Sequence, residues 1–472
     1  MPRPQPTLTS RPRPQPSPPF RRVCKVPVAS SPRDGAVVLT RIDVRGRKGA
    51  ALAAALPRPP EPGRAERETV ASIIDAVRQG GDRTLLELTE KLDGVVLERL
   101  RVPDAQLHDA LARIPEELRH ALLVAHRNIA AYHAYEMATV PDFVAHGLRI
   151  RHLVRPVDRV GCYAPGGRAR YPSTVLMCAV PARVAGVQEV VLCVPPGREG
   201  TVDDATLAAA ALAGVDEVYA VGGAQAIAAM AYGTESVRRV DVVVGPGNRY
   251  VAEAKRQVAG AVGVASAFAG PSEVVVVAAP DTPASFAAID LAVQAEHGPD
   301  GLAWLVTWSE DKASEVEAAL ERVVAESPRR DDLASTLARG GYSCIVDDAE
   351  HALAVSNVVA PEHLELLFEG AETLLGSVRA AGAVFCGPWS PASLGDYVAG
   401  PNHVLPTDRT ARFASALRAD DFRRHVHAVS AHPSAMEALG PAVEALAETE
   451  GLPAHAASIA LRRAQLREDG AG

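Results

Sequence analysis

Several short segments of the chain combine residue types that can bind a metal ion or transfer protons. Gln294 and His297 share one face at the end of a predicted helix, because residues three apart on a helix point the same way. Glu362 and His363 are adjacent, and we expect their side chains to leave the backbone in different directions, which suits two separate proton transfers. Asp396 lies in a glycine-flanked segment beyond a predicted strand, where open α/β sheets commonly bind ligands.

A final pair, Glu450 and His455, adds an acid and an imidazole on a C-terminal appendage. Each segment taken singly also has a structural explanation, so the residue types alone leave both interpretations open. His297 could cap the last carbonyls of its helix, the adjacent acid and imidazole could form a solvated loop pair, and Asp396 could serve a turn.

Three turns at predicted strand ends are rich in glycine, which lets backbone N–H groups and helix N-termini approach a phosphate closely. They are Gly161–Gly167, Gly222–Gln225 and Gly245–Asn248. The dinucleotide fingerprint G-x-G-x-x-G is absent, so tight turns that require positive φ explain the glycines at least as well as a pyrophosphate site. No lysine stands in a Gly-Lys-Ser/Thr sequence, which excludes a Walker A loop.

The elements that would position these residues alternate between short apolar strands and helices. Such alternation predicts parallel sheet buried on both faces. Eight strands could close into one barrel, but glycine-rich strand ends between residues 161 and 248 favour doubly wound halves of Rossmann type. The predicted strands are Arg159–Ala164, Glu189–Pro195, Glu217–Val221, Val240–Val244, Glu273–Ala279, Ala303–Trp308, Tyr342–Val346 and Ala383–Cys386, and helices between them include Ser173–Ala185, Asp203–Ala213, Ala284–Glu296 and Glu310–Glu326.

Composition excludes several classes of protein. The chain has 472 residues, 47% of them hydrophobic, which allows a large core in two or three domains. A formal net charge of −8 has the wrong sign for coating nucleic acid or an anionic membrane. The six cysteines form no Cys-x-x-Cys pair, which argues against a zinc ribbon, an Fe–S site and a disulfide scaffold. No apolar run approaches a transmembrane length, so we expect a reducing, cytoplasmic setting.

Together the segments resemble the histidinol dehydrogenase family. The resemblance runs from about Leu39 to Arg463, and its segments follow the family's order and spacing. The departures are peripheral: the N-terminal arm, and Ala169-Arg170 in the first glycine turn. The segments that carry it are VGCYAPGGRARYPSTVLM, VGGAQAIAAMAYGTESV, VVVGPGNRYVAEAKRQV, AGPSEVVVVA, AVQAEHGPDG, APEHLEL, SLGDYVAGPNHVLPT and GLPAHAASIALR.

The resemblance implies an α/β fold of two incomplete Rossmann-type doubly wound domains, with N-terminal helices and a small helical C-terminal tail, in an intertwined homodimer. We therefore expect a discontinuous first domain at 37–158 plus 269–404, a second, NAD-side domain at 159–268, and a helical dimerisation tail at 405–472. The Pro- and Arg-rich segment 1–36 is expected to be a disordered extension outside the fold.

The resemblance also implies an activity and a site. Members of the family oxidise L-histidinol to L-histidinal and then to L-histidine, with NAD as the oxidant and a zinc ion in each subunit. The corresponding residues here are the metal ligands Gln294, His297, Asp396 and, from the partner's tail, His455; the catalytic pair Glu362 and His363; the substrate contacts Ser272, Gln294, His297, His363, Asp396, Glu450 and His455; and the NAD contacts Tyr163, Gln225 and Asn248.

The residue types agree with that chemistry. Imidazole, carboxylate and amide ligands without a thiolate suit zinc that anchors the substrate's imidazole and amine. We expect neutral His363, with an ordinary pKa of about 6.5, to take the alcohol proton, and Glu362 to activate water for the second oxidation. A covalent route through Cys162 or Cys193 is the competing mechanism, although buried cysteines more often act as small hydrophobes.

Three other functions remain as alternatives. A zinc- and NAD-dependent dehydrogenase of the same family could act on another small alcohol such as sulfopropanediol, although Glu450 and His455 fit an amine and imidazole better. A zinc hydrolase could use Glu362 to activate metal-bound water, but it would leave the glycine-rich strand ends without a ligand. A non-catalytic scaffold would leave the polar clusters unexplained.

Overall fold

Two open parallel sheets form the centre of the molecule, and a small antiparallel sheet lies apart from them. The structure is a computed structural model that describes residues 39–58, 63–166, 170–265, 272–296, 298 and 301–469. The expected extension at 1–36 therefore lies outside the described residues, and so does His297.

The helices and strands are numbered in chain order within the described ranges. Helices α1 to α15 are Gly49–Ala55, Arg64–Asp93, Asp104–Arg113, Glu116–Tyr135, Pro172–Val184, Asp204–Leu212, Gly223–Tyr232, Arg249–Val258, Ala284–Ala295, Glu310–Glu326, Arg330–Gly340, Ala349–Val359, Ala392–Tyr397, Pro433–Thr449 and Pro453–Asp469. Strands β1 to β14 are Thr40–Asp43, Phe143–Ala145, Leu148–Pro156, Arg159–Tyr163, Glu189–Val194, Glu217–Ala220, Val242–Val244, Gly263–Val264, Glu273–Ala278, Leu302–Thr307, Gly341–Ile345, His363–Leu366, Ala383–Cys386 and Arg423–Ala431. Short 3₁₀ helices are Ala371–Ser377, Thr410–Arg412 and Ala419–Phe422.

The larger sheet has six strands in the order β1-β11-β10-β9-β12-β13, and the second has five in the order β6-β5-β4-β7-β8. All their neighbouring strands are parallel. The central strand β9, with sequence EVVVVA, is buried along its whole length, as expected for a strand covered by helices on both faces. The prediction of a parallel α/β fold is confirmed, and the alternative of one closed barrel is wrong.

The C-terminal region differs from the expected helical tail, because it contains a nine-residue strand. Strand β14 pairs antiparallel with the full length of β3, and β3 pairs with β2. The segment RRHVHAVSA is mostly exposed, so its sequence lacks the apolar pattern of a strand with one buried face. Helices α14 and α15 follow it and pack against each other. The tail is therefore a strand followed by a helical hairpin.

Strand β12, which begins at His363, is another of the strands that the sequence did not predict, as are β1, β2, β3 and β8. Only four residues long, it lies between β9 and β13 and is completely buried. The acid and imidazole that we allowed as a solvated loop pair are therefore inside the protein.

The described residues between 39 and 469 form one compact unit. The domain boundaries at 158/159, 268/269 and 404/405 therefore stay a prediction. Within the part of the chain that the structure describes, none of the helices combines the length and the apolar character that crossing a bilayer requires.

Candidate active site

A cleft of about 2170 Å³ brings most of the predicted site residues together. On one side it is bounded by the carboxyl ends of the five-stranded sheet, where the glycine-rich turns lie. On the other side it is bounded by the amino ends of β9 and β12 in the six-stranded sheet. The predicted site residues that line it are Tyr163, Gln225, Asn248, Ser272, Glu362, His363 and Asp396.

The glycine turns bring backbone close to the end of strand β4. Gly223, with φ of +66°, donates its N–H to the Tyr163 hydroxyl at 3.1 Å. Gly245, with φ of +110°, lies where an added Cβ would collide with the carbonyl oxygen of Tyr163. Burial raises the pKa of the Tyr163 phenol to about 12, so its hydroxyl stays protonated at neutral pH. The tight-turn and nucleotide-binding explanations of these glycines are therefore compatible.

The two other predicted NAD contacts stand at the first turns of helices. Gln225 is 1% exposed, and its Oε1 has no hydrogen-bond partner within the described ranges. Asn248 caps helix α8, because its Oδ1 accepts the N–H groups of Tyr250 and Val251 at 3.0 and 3.1 Å. The buried amide oxygen of Gln225 can therefore accept a hydrogen bond from a ligand, whereas the amide oxygen of Asn248 already caps a helix.

On the opposite wall, Glu362 and His363 come closer together than we expected. Glu362 Oε2 lies 3.8 Å from His363 Nδ1 and accepts the backbone N–H of Glu273 at 3.1 Å. His363 Nε2 lies 3.3 Å from Asp396 Oδ1, and the ring stacks on Phe385 with centroids 6.0 Å apart. The imidazole is therefore held between two carboxylates. The expectation that the adjacent side chains diverge was wrong, because β12 is buried and both side chains face the cleft.

This environment changes the acid–base character of His363. Burial by itself lowers the pKa of the imidazole, but Glu362 and Asp396 outweigh it, and the net result is a pKa raised to about 9. Neither ring nitrogen makes a hydrogen bond of good geometry to the described residues. In the metal-free chain the two carboxylates therefore favour the protonated imidazole.

The predicted metal ligands occupy corresponding places on two helices. Gln294 is the penultimate residue of α9 and is 4% exposed, and Asp396 is the penultimate residue of α13. Both helices run back from the carboxyl edge of the sheet, so their C-terminal ends reach its amino edge. Asp396 follows β13 in the chain as predicted, but α13 carries it back to the amino edge of the sheet, beside His363.

Of the predicted metal ligands, Asp396 lines the cleft, whereas Gln294 is buried and is not among the described residues that line it. The Nε2 donor of the buried Gln294 side chain has no acceptor among the described residues, whereas a metal ion would be bound by the amide oxygen Oε1. Within the same ranges no three His, Cys, Asp or Glu side chains gather closely enough to hold a metal ion. The wall therefore offers amide and carboxylate donors that fit zinc but forms an incomplete set without further imidazoles.

Two further predicted residues, Glu450 and His455, do not join this cleft within one chain. Glu450 ends α14 and His455 lies in the first turn of α15, and both are exposed. Neither is among the described residues that line the cleft. Ser272, in contrast, directly precedes β9, and its carbonyl accepts the N–H of Leu302 at 3.0 Å beside the cleft.

The structure places two further carboxyl groups behind the catalytic wall, which the sequence analysis missed. Glu365 lies two residues after His363 on β12, so both side chains leave the same face of the strand. Its neighbour is Asp290, one turn before Gln294 on α9. The alternation in His-Leu-Glu-Leu was the available signal, but it requires knowing that the segment is a strand.

The cysteines of the covalent alternative are poorly placed to act as nucleophiles. Cys162 and Cys193 are fully buried in β4 and β5. Burial raises the pKa of the Cys193 thiol to about 12, and a hydrogen bond with Cys178 and burial raise that of Cys162. Both therefore remain thiols at neutral pH.

Comparison with known proteins gives concordant matches. The sequence matches the family model described as histidinol dehydrogenase over residues 57–463. It is 48% identical over 394 residues to the histidinol dehydrogenase of Parasynechococcus marenigrum, covering 83% of this chain and 89% of the relative. It is 45% identical over 397 residues to the Bacillus cereus protein of the same name, and the match covers 84% of this chain and 92% of the relative. The crystal structure of histidinol dehydrogenase from Elizabethkingia anophelis superposes with a TM-score of 0.86 at 32% identity, covering 91% of this chain and 99% of that one.

Proposed function

The chain belongs to the histidinol dehydrogenase family, and from this premise we propose which of its residues carry out the reaction. It is an NAD-dependent oxidoreductase that converts L-histidinol to L-histidinal and then to L-histidine. The overall change is from alcohol to acid, so each substrate molecule delivers two hydrides.

One observation carries the assignment of residues: a single cleft contains both the glycine-rich turns and the acid–imidazole pair. Tyr163, Gln225 and Asn248 belong to the nucleotide wall, where helix N-termini favour a phosphate. Glu362 and His363 belong to the opposite wall. We assign the first group to NAD and the second to proton transfer, since hydride transfer requires nicotinamide and alcohol to meet in one space.

We assign the metal site to Gln294, His297 and Asp396 of one subunit and His455 of the partner subunit. The burial of Gln294 near the C-terminal end of α9 and the carboxylate of Asp396 beside His363 support this assignment. A bound zinc ion would anchor the imidazole and amine of histidinol, because it accepts nitrogen and oxygen ligands readily. Ser272 and the partner's Glu450 complete the proposed substrate contacts.

The acid–base steps follow from the positions of the protein groups. His363 in its neutral form takes the alcohol proton while the hydride leaves the substrate carbon, and the flanking carboxylates stabilise the imidazolium that results. Glu362 removes a proton from the water that adds to the aldehyde carbon, which gives the hydrate that the second oxidation consumes. His363 again takes the hydroxyl proton in that step.

Histidinol binding by zinc-loaded and chelator-treated enzyme tests this arrangement. We expect histidinol to bind the zinc-loaded protein and to lose measurable binding after chelation, with recovery when zinc returns. NAD binding serves as the control, because its wall contains no proposed zinc ligand, and it should survive chelation. Equal histidinol affinity of the two forms would contradict the anchoring role.

We further propose that the active unit is a homodimer with exchanged tails. The tail and the neighbouring antiparallel sheet expose large apolar side chains, as a face that a second copy covers would. Their exposed members are Phe143, Val144, Val426, Val429, Leu446 and Leu461. The exposed positions of Glu450 and His455 outside their own chain's cleft support the same conclusion. A cytoplasmic location is part of this proposal, supported by the buried free thiols.

Hybrid dimers test the exchange. H363N and H455N should each be inactive alone, but co-expression should produce mixed dimers in which one of the two sites is entirely wild type. About a quarter of the wild-type activity is expected for random mixing. No recovery, in a preparation shown to contain mixed dimers, would contradict donation between subunits.

A further inference from the structure

The buried carboxyl groups of Asp290 and Glu365 lie where three site-bearing elements meet. Glu365 is on β12, the strand that begins with His363. Its Oε1 accepts the N–H of Ala392 at 2.8 Å, and Ala392 is the first residue of α13, the helix that carries Asp396. The hydrogen bond therefore fixes the start of this helix to the strand of the catalytic imidazole.

The third element is α9, which reaches the same point through Asp290. Asp290 and Gln294 are four residues apart and thus share one face of this helix. Glu365 is 1% exposed and Asp290 is 8% exposed, so both side chains are largely removed from water. Burial and the proximity of Asp290 raise the pKa of Glu365 well above its ordinary range.

The remaining oxygen of Glu365 shows how the two groups interact. Glu365 Oε2 is buried and has no hydrogen-bond donor within the described residues. Two ionised carboxylates cannot supply one, and leaving both charged in a buried position would be costly. A single proton held between the two groups satisfies Oε2 and reduces the buried charge to that of one carboxylate.

We propose that Asp290 and Glu365 share one proton and act as a positioning pair that sets the spacing of Gln294, His363 and Asp396. The inference rests on the proposed zinc site, to which this pair contributes no ligand. The pair orients the elements that carry the ligands. Loss of such an outer group typically lowers metal affinity 10- to 100-fold.

Two substitutions of Glu365 test the pair, because one keeps its hydrogen bonds and the other removes them. E365Q keeps an oxygen for the Ala392 N–H, and its amide donates permanently to Asp290, so it reproduces one shared hydrogen and one negative charge. E365L removes both interactions. We expect E365L to weaken zinc binding about 10- to 100-fold in chelator competition, while E365Q stays within about threefold of wild type.

A matched control is V276A. Val276 is buried on β9 beside Glu365, so its truncation leaves a cavity there while both carboxyl groups of the pair are kept. V276A should lower the melting temperature yet leave zinc affinity unchanged. Zinc affinity of E365L equal to that of V276A, or loss in E365Q as large as in E365L, would overturn the proposal.

Infrared spectra of the wild type and two further variants test whether the proton is shared, even if E365L does not fold. At neutral pH the carbonyl stretch of one protonated carboxyl should disappear in E365Q and equally in D290N, although each variant removes a different residue. Retention of that band in both variants would overturn the proposal. The comparison needs no metal, so wild-type protein that binds no zinc would contradict the proposed metal site while this result still stands.

Discussion

The two parallel sheets meet the cleft with opposite edges. The five-stranded sheet contributes its carboxyl edge. There Tyr163 ends β4, and helices α7 and α8, which follow β6 and β7, begin at Gly223 and Arg249. The six-stranded sheet contributes its amino edge, where Ser272 precedes β9 and His363 begins β12. Helix N-termini therefore face the cleft from one side, whereas the C-terminal ends of α9 and α13 approach it from the other.

This difference matches the charges that each wall has to bind. Helix N-termini favour the anionic phosphates of a dinucleotide. Helix C-termini favour a cation, and here they carry the proposed metal ligands Gln294 and Asp396. The nucleotide wall is built from glycines and backbone, whereas the opposite wall presents titratable side chains. Substitutions on the two walls should therefore change different kinetic constants.

The largest effect is expected at His363. H363N removes the base for both oxidations and should lower kcat about 10²- to 10⁴-fold with histidinol and with histidinal as substrate. The dissociation constant for NAD should change little, because the nucleotide wall is intact. Rates measured separately for the two substrates test this, and loss of only one oxidation would contradict a base common to both.

A smaller and more selective effect is expected at Glu362. E362Q should lower the rate of histidinal oxidation about 10²-fold, because water activation is lost, while histidinol oxidation falls by less than about tenfold. A single-turnover assay should therefore show histidinal accumulating. If both steps slow equally, the division of labour between the two residues is wrong.

On the other wall we expect a change in affinity for NAD. G245A places a Cβ against the carbonyl oxygen of Tyr163 and requires a non-glycine residue at φ of +110°. The KM for NAD should rise about tenfold or more, with zinc affinity unchanged. The control is G376A, whose added Cβ meets nothing within 4 Å. Equal effects of the two substitutions would argue that the glycine turn does not shape the NAD site.

The smallest effect concerns stability and pH in the zinc-free protein. The folded-state pKa of His363 is raised to about 9, above its ordinary value of about 6.5. Its protonation therefore stabilises the fold fully below pH 6.5, and this contribution is lost as pH rises towards 9. It amounts to about 3 kcal/mol at most. Urea unfolding of wild type and H363N should give a stability difference that shrinks over this interval, and a constant difference would contradict it.

The sequence predicted those parts of the molecule that depend on local pattern. Apolar runs and glycine turns gave the central strands to within one or two residues, because buried parallel strands have a strong signal. The strands missed were β1, β2, β3, β8, β12 and β14. Of these, β12 is only four residues long and β14 is mostly exposed, so neither has a strong signal.

The site was predictable in its residue types but not in its surroundings. The sequence placed Glu362 and His363 side by side, yet gave no sign that Asp396 lies 3.3 Å from the imidazole. That contact joins residues 33 positions apart and depends on α13 running back along the sheet. The raised pKa of His363 and the Asp290–Glu365 pair follow from such long-range packing, which periodicity cannot report.

The most direct measurement of the central claim, that the two walls serve one reaction, is the amount of NADH formed for each histidinol consumed by zinc-loaded enzyme. The account predicts two NADH per histidinol, with histidine as the only product and no turnover when NAD is withheld. A ratio of one with histidinal as the product, or consumption of histidinol without NAD, would contradict it.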